Sequence, residues 1–310
     1  MNRGCLNDYP EHYRRCWTVS LRCLAGIVFA WGGCNAWAAT EAGLATALRG
    51  HATRLEQQLQ NNPFGQPLVL QSSESAKGLT GDIYAVVPYP FASVSTGMRS
   101  PEHWCEVMIL HVNTKYCHAV AGPQNTTLRV NIGKKTPQAI ADTTRVDFRY
   151  RETASSPTYF AIKLTAKDGP LGTSNYRIHL EAVELPGNKT FLHLTYAYGV
   201  GFAGRLAMQT YLATLGAGKV GFTRTGQSAD GQTGYVAGVR GVVERNTMRY
   251  YLAIDSFLAS QREPPAAQFE QRLQTWFSAV ERYPRQLHEI DRSDYLAMKR
   301  AEVLRQQTVY

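Results

Sequence analysis

The chain has 310 residues, a formal net charge of +9, and 44% hydrophobic against 18% charged residues. That balance is ordinary for a globular protein, with enough apolar material for a sizeable core, and the length allows one or two domains. The positives are scattered, with no basic stripe alternating with aromatics, so no nucleic-acid partner is expected. A transient contact with anionic membrane surfaces is the one electrostatic expectation.

Residues 1–38 read as a signal peptide. Arg14, Arg15 and Arg22 precede a short apolar run, Cys23 to Gly33, and Ala36-Trp37-Ala38 supplies small residues where a signal peptidase reads. The run is too short to span a bilayer, which needs about 20 residues. An uncleaved membrane anchor, a twin-arginine signal at Arg14-Arg15 and a lipoprotein site at Cys34 are the competing readings. Cleavage near Ala38 implies a periplasmic or secreted protein. It also removes four of the six cysteines and leaves Cys105 and Cys117. In an oxidising compartment two cysteines make one disulfide; two separate buried thiols are the alternative.

Thr40 to Asn62 repeats Leu44, Leu48, Ala52, Leu55 and Leu59 at helical spacing, with Thr40 placed to cap the helix. The period then falls to two. "PLVLQ" and "GDIYAVV" predict strands. "PYPFASVSTGM" and "SPEHWCEVMIL" predict short helices, the second opened by Ser100 and Pro101. Six alternating runs follow between Leu110 and Gly199. In one, Val146, Phe148 and Tyr150 share a face and Arg145, Asp147, Arg149 and Arg151 take the other. Short turns such as "DGPLG" and "LPGN" join them, which predicts an antiparallel meander with one dry face. The segment Tyr235 to Gln261 carries a broad apolar stripe and is long enough to cover that face. Pro264-Pro265 ends it, and two more helices are predicted beyond.

"YAYGVGFAG" holds a G-x-G-x-x-G at Gly199, Gly201 and Gly204, but a dinucleotide site needs parallel strands and an acid about 20 residues on. No Asp or Glu lies between Glu184 and Asp230. The glycines instead end a strand and let the next segment approach the sheet. "GAGKV" lacks the Ser or Thr of a phosphate loop. His103, Cys105, His111, Cys117 and His118 match no familiar zinc spacing. His179 and His193 fall on outward faces. No catalytic set, metal or cofactor is assigned.

A strand pair running into "VVPYPFASVSTGMRSPEHWCEV", a long antiparallel meander, and a closing helix "GVRGVVERNTMRYYLAIDSFL" together resemble the START-like, helix-grip superfamily of lipid-transfer and polyketide-cyclase-like domains. The resemblance covers about residues 66–262. It implies an α+β fold in which a curved antiparallel sheet grips a long C-terminal helix; the N-terminal helix at 39–65 and the C-terminal helical extension at 263–310 are additions outside the family's core. It also implies an apolar space between sheet and helix for a hydrophobic or lipid-like small molecule. The expected lining residues are Tyr84, Trp104, Tyr150, Tyr196 and Tyr251, and these can equally fill a closed core. Lys115 and Arg177 are candidates for a ligand headgroup. The favoured function is a carrier. A cyclase- or hydrolase-type enzyme, with His111 or Glu106 for acid–base work, is the second reading. An envelope interaction protein docking through "QRLQTWFSAVERY" is the third. Nothing in the sequence fixes the oligomeric state.

Overall fold

The computed structural model describes residues 32–307 apart from 124, 202–203, 207, 209, 211–217 and 228–230. Most of the expected signal peptide therefore lies outside the described residues, as do parts of the segments after Gly201 and before Gly218. The chain divides into two units, Met1–Ala39 and Thr40–Tyr310. The first is described only as helical backbone from Gly32; the second holds the sheet. Among the described residues no helix is long and apolar enough to cross a membrane.

Eight strands form one antiparallel sheet in the order β1-β2-β8-β7-β6-β5-β4-β3. The hairpin β1 (Leu68–Ser75) and β2 (Gly78–Val87) leads into two helices, α2 (Phe91–Met98) and α3 (Pro101–Met108). Ser100 caps α3 by accepting from His103 N at 3.4 Å, with Pro101 in its first turn. These helices carry the chain to the far edge. From there β3 (Thr114–Ala121), β4 (Thr126–Ile132), β5 (Thr144–Ser156), β6 (Tyr159–Asp168), β7 (Thr173–Leu185) and β8 (Lys189–Val200) return as a meander. β8 then pairs with β2.

Alternation decides which face each side chain takes. Val146, Phe148 and Tyr150 of β5 are buried while Arg145, Asp147, Arg149 and Arg151 are exposed. The buried face lies under α4 (Gly238–Ser260), which contributes Val243, Met248, Ile254 and Phe257 to the same core. Gly81 sets the approach: a Cβ there would collide with Thr247 Oγ1 of α4. α4 starts three residues later than the apolar stripe suggests. Tyr235 belongs to a small hairpin, β9 (Arg224–Gln227) with β10 (Thr233–Tyr235), and Val236 N donates to Thr223 O at 2.8 Å. Glu244, fully buried on α4, holds the preceding loop by accepting from Phe222 N and Thr223 N, and joins it to β1 by accepting from the Ser72 hydroxyl.

The outer face also has a cover, at one end. α1 (Gly32–Gln60) lays Ala45, Leu48, Leu55 and Leu59 on Val69, Tyr159, Ala161, Val183 and Phe191, forming a second apolar cluster. Leu44, at the margin of that stripe, is 44% exposed. Thr40 lies inside α1 instead of capping it, because the helix continues upstream through the alanine-rich stretch before it.

After α4 come α5 (Pro265–Val280), a single turn α6 (Pro284–Leu287) and α7 (Arg292–Gln306). Pro284 breaks the run that the apolar spacing would have continued to Ile290. The apolar face of α5, with Leu273, Trp276, Phe277 and Val280, is buried in the main core beside Tyr295 of α7. The face expected to dock a partner is thus covered by the chain's own helices.

Candidate functional site

Four tyrosines converge between sheet and α4. Tyr176 stands on β7, Tyr196 and Tyr198 on β8, and Tyr250 on α4. A β-bulge between Ser174 and Arg177, with Asn175 at φ 51°, turns the Tyr176 ring inward. The rings of Tyr176 and Tyr198 stack at 5.3 Å, and Tyr196 meets Tyr250 at 5.2 Å. Phe148 closes on Tyr176 edge-on and His111 packs on Tyr250 at 5.3 Å. The Tyr176 hydroxyl shares a hydrogen bond with Thr173 Oγ1 at 2.7 Å. The Tyr198 hydroxyl is buried and has no hydrogen-bond partner among the described residues. Burial pushes the Tyr196, Tyr198 and Tyr250 hydroxyls above the usual phenol range, so all stay neutral donors at physiological pH.

Of the five expected lining residues, Tyr196 lies within this group. Trp104 is fully buried and its Nε1 donates to Met98 O at 2.8 Å. Tyr150 donates its hydroxyl to Arg99 O at 2.6 Å. Tyr251 is buried on α4, where burial and the neighbouring Asp255 raise its hydroxyl. Tyr84 sits on the other side of the sheet. Ile83 and Ala85 face α4, so Tyr84 must face outward, where its ring stacks on His193 at 4.2 Å beneath α1.

His193 is itself clamped. Its Nδ1 meets Glu181 Oε1 and its Nε2 meets Asp82 Oδ1, each at 2.9 Å. Tyr159 and Thr195 add hydroxyl donors to the two carboxylates. Burial opposes the charge, but the hydrogen bonds that the ring donates to Asp82 and Glu181 outweigh it and hold the imidazole up at about 9. The histidine is a structural cation joining β2, β7 and β8. His179 is half-buried on the same face, and burial lowers it.

The acid–base candidates have little freedom. His111 is buried, and burial together with Arg249 and Lys299 drives it well below the usual imidazole range, so it is neutral. Glu106 is 43% exposed and ion-paired with Arg272. Lys115 is fully buried: its Nζ donates to Val112 O at 3.1 Å and to Glu302 at 3.0 Å, so it offers no headgroup contact. Arg177 is exposed on the outer face. Cys105 and Cys117 form a disulfide that ties α3 to β3. Among the described residues no group of three His, Cys, Asp or Glu is placed to hold a metal ion. The unpartnered Tyr198 hydroxyl and the Asp82–His193–Glu181 clamp escaped sequence reading. The first needs three-dimensional packing to be seen, while alternation already placed His193 opposite the core.

No family model and no curated protein matches the chain. Among solved structures it is similar to a conserved protein from Geobacillus kaustophilus, at 13% identity over 59% of this chain and 96% of that one, with TM-score 0.35. It is also similar to human StAR-related lipid transfer protein 5, at 11% identity over 56% and 90%, with TM-score 0.30. A truncated norcoclaurine synthase from Thalictrum flavum is similar at 10% identity over 46% and 91%, with TM-score 0.31. The sheet order, the two helices between β2 and β3, and the long helix across the inner face make this a helix-grip fold, the architecture of the START-like superfamily.

Proposed function

We propose that the protein is an exported carrier holding a hydrophobic or lipid-like small molecule between the sheet and α4. The observation that carries this reading is the buried Tyr198 hydroxyl with no partner, set among Tyr176, Tyr196 and Tyr250. A buried donor left without an acceptor costs on the order of 1–3 kcal/mol. A ligand with one hydrogen-bond acceptor on an apolar frame would remove that cost and pack against the rings. Export is supported by the charged, apolar and A-x-A order of the first 38 residues. The neutral, enclosed His111 and the ion-paired Glu106 favour a carrier over an acid–base enzyme.

Native mass spectrometry of gently purified protein tests the carrier. A bound hydrophobic molecule, depleted in Tyr198→Phe, is the expected result. A protein that is empty and also ignores a panel of lipids overturns it. Export is tested by the N-terminus of protein recovered from the periplasm or medium, which should begin near Ala39.

A further inference from the structure

The strand face turned away from α4 carries charge that the fold does not neutralise. Lys77, at the β1–β2 turn, and Arg149, Arg151, Lys163, Lys167 and Arg177 are all exposed. No hydrogen bond or ion pair engages these side chains among the described residues. The outward acids of the same strands are engaged elsewhere. Asp147 is held at both oxygens by Arg145, and Asp82 and Glu181 hold His193.

Two features separate this from an ordinary solvated face. Arg151 lies directly opposite Lys163 across β5 and β6, an arrangement of like charges that works against the sheet. Arg149 and Arg177 flank Thr165 from the strands on either side. Lys77, Arg149, Lys167 and Arg177 also line a concavity of about 770 Å³, with hydroxyls from Ser73 and Thr165, the Arg145-paired Asp147, and Tyr176 and Tyr198 at its inner side. Arg205 pins the β1–β2 turn at its rim by donating to Ser75 O at 2.7 Å. α1, which covers the other end of this face, leaves this end open.

We infer that this face docks on an anionic membrane, with a phosphate-bearing headgroup seated in the concavity and its neighbours met by the surrounding cations. The charges extend from the β1–β2 turn to β5, roughly 19 Å at the usual strand spacing, which is wider than one phosphate. An array of headgroups matches that spread, and each cation near an anionic surface adds to the attraction. The cationic strands expose no aromatic ring between the charges, so base stacking, the usual companion of a single-stranded nucleic-acid groove, has no platform here. The inference does not rest on the interior ligand: Tyr176 and Tyr198 border both places, but the cations that carry the docking are on the outer face.

The test is flotation of the full chain with phosphatidylglycerol–phosphatidylcholine vesicles and with phosphatidylcholine alone. The expected result is binding to the anionic vesicles only, weakened by salt. R149Q/R177Q should lower affinity on the order of 25-fold, at roughly fivefold per cation. K189Q/R282Q, which removes the same charge from exposed positions outside the concavity, should bind as the parent does. The four side chains are exposed, and an unchanged melting temperature verifies the fold of each variant. Equal vesicle binding by the two variants overturns the inference, as does indifference to anionic lipid or tighter binding to a single-stranded oligonucleotide. Ligand retention by native mass spectrometry is read separately, so either reading can fail alone.

Discussion

Glu302 Oε1 lies 3.0 Å from Lys115 Nζ, and both side chains are closed to solvent. The other carboxylate oxygen accepts from Lys299 Nζ at 2.7 Å, and Lys299 also donates to His111 O and Thr114 O. One acid is thus shared by two buried ammonium groups, and burial lowers Lys299 to about 8 despite that acid, with Lys115 adding to the effect. Glu302→Ala strands both lysines. It should cost about 3–5 kcal/mol, read as a lower midpoint in urea unfolding. A loss below about 1 kcal/mol would show that water reaches the lysines.

The Cys105–Cys117 bridge closes a short loop, with a sequence separation of 12. Chain-entropy reasoning gives about 3 kcal/mol for a loop of that size. Unfolding with and without reductant should differ by that amount, and Cys105→Ala with Cys117→Ala should match the reduced protein. Indifference to reductant would mean the thiols are separate in solution.

The His193 clamp predicts a pH dependence with a definite sign. Its folded pKa of about 9 stands above the ordinary histidine value of 6.5. Its contribution is therefore fully present below about pH 6.5 and is lost as pH rises through 9. Stability should fall by about 2–3 kcal/mol across that window, and His193→Gln should flatten the slope. Nuclear magnetic resonance titration of the imidazole checks the pKa directly.

Tyr198→Phe and Tyr176→Phe separate ligand recognition from folding. Removing the partnerless Tyr198 hydroxyl should leave stability unchanged or raise it, while lowering ligand affinity about tenfold. Removing the Tyr176 hydroxyl breaks its bond to Thr173 and should cost about 1 kcal/mol of stability. Thermal unfolding alongside quantified bound ligand distinguishes the two.

Much of the fold was legible because a strand with one dry face writes its geometry locally. Val146, Phe148 and Tyr150 against Arg145, Asp147 and Arg149 set β5 without any partner in view. Parity also contained the placement of Tyr84: with Ile83 and Ala85 inward, the residue between them had to point to the other side. Tyrosine's affinity for pockets obscured that arithmetic. The side of the sheet taken by α1 was not legible, since an apolar stripe says that a helix is covered and not by what. Nor was the fate of Lys115, whose partner lies 187 residues away. Such pairings are settled by tertiary packing, and periodicity is silent about them.

α7 has a consequence for synthesis. β3 is an outer strand of the sheet, and besides α3 it is sheltered by this helix: Gln306 accepts from Cys117 N, and Glu302 meets Lys115. A ribosome delivers those 15 helical residues after every strand has been made. Until they arrive, an ammonium group sits uncompensated and a ladder of amides stays open to strangers. That edge closes only when α7 emerges, so its protection is among the last features the growing chain acquires.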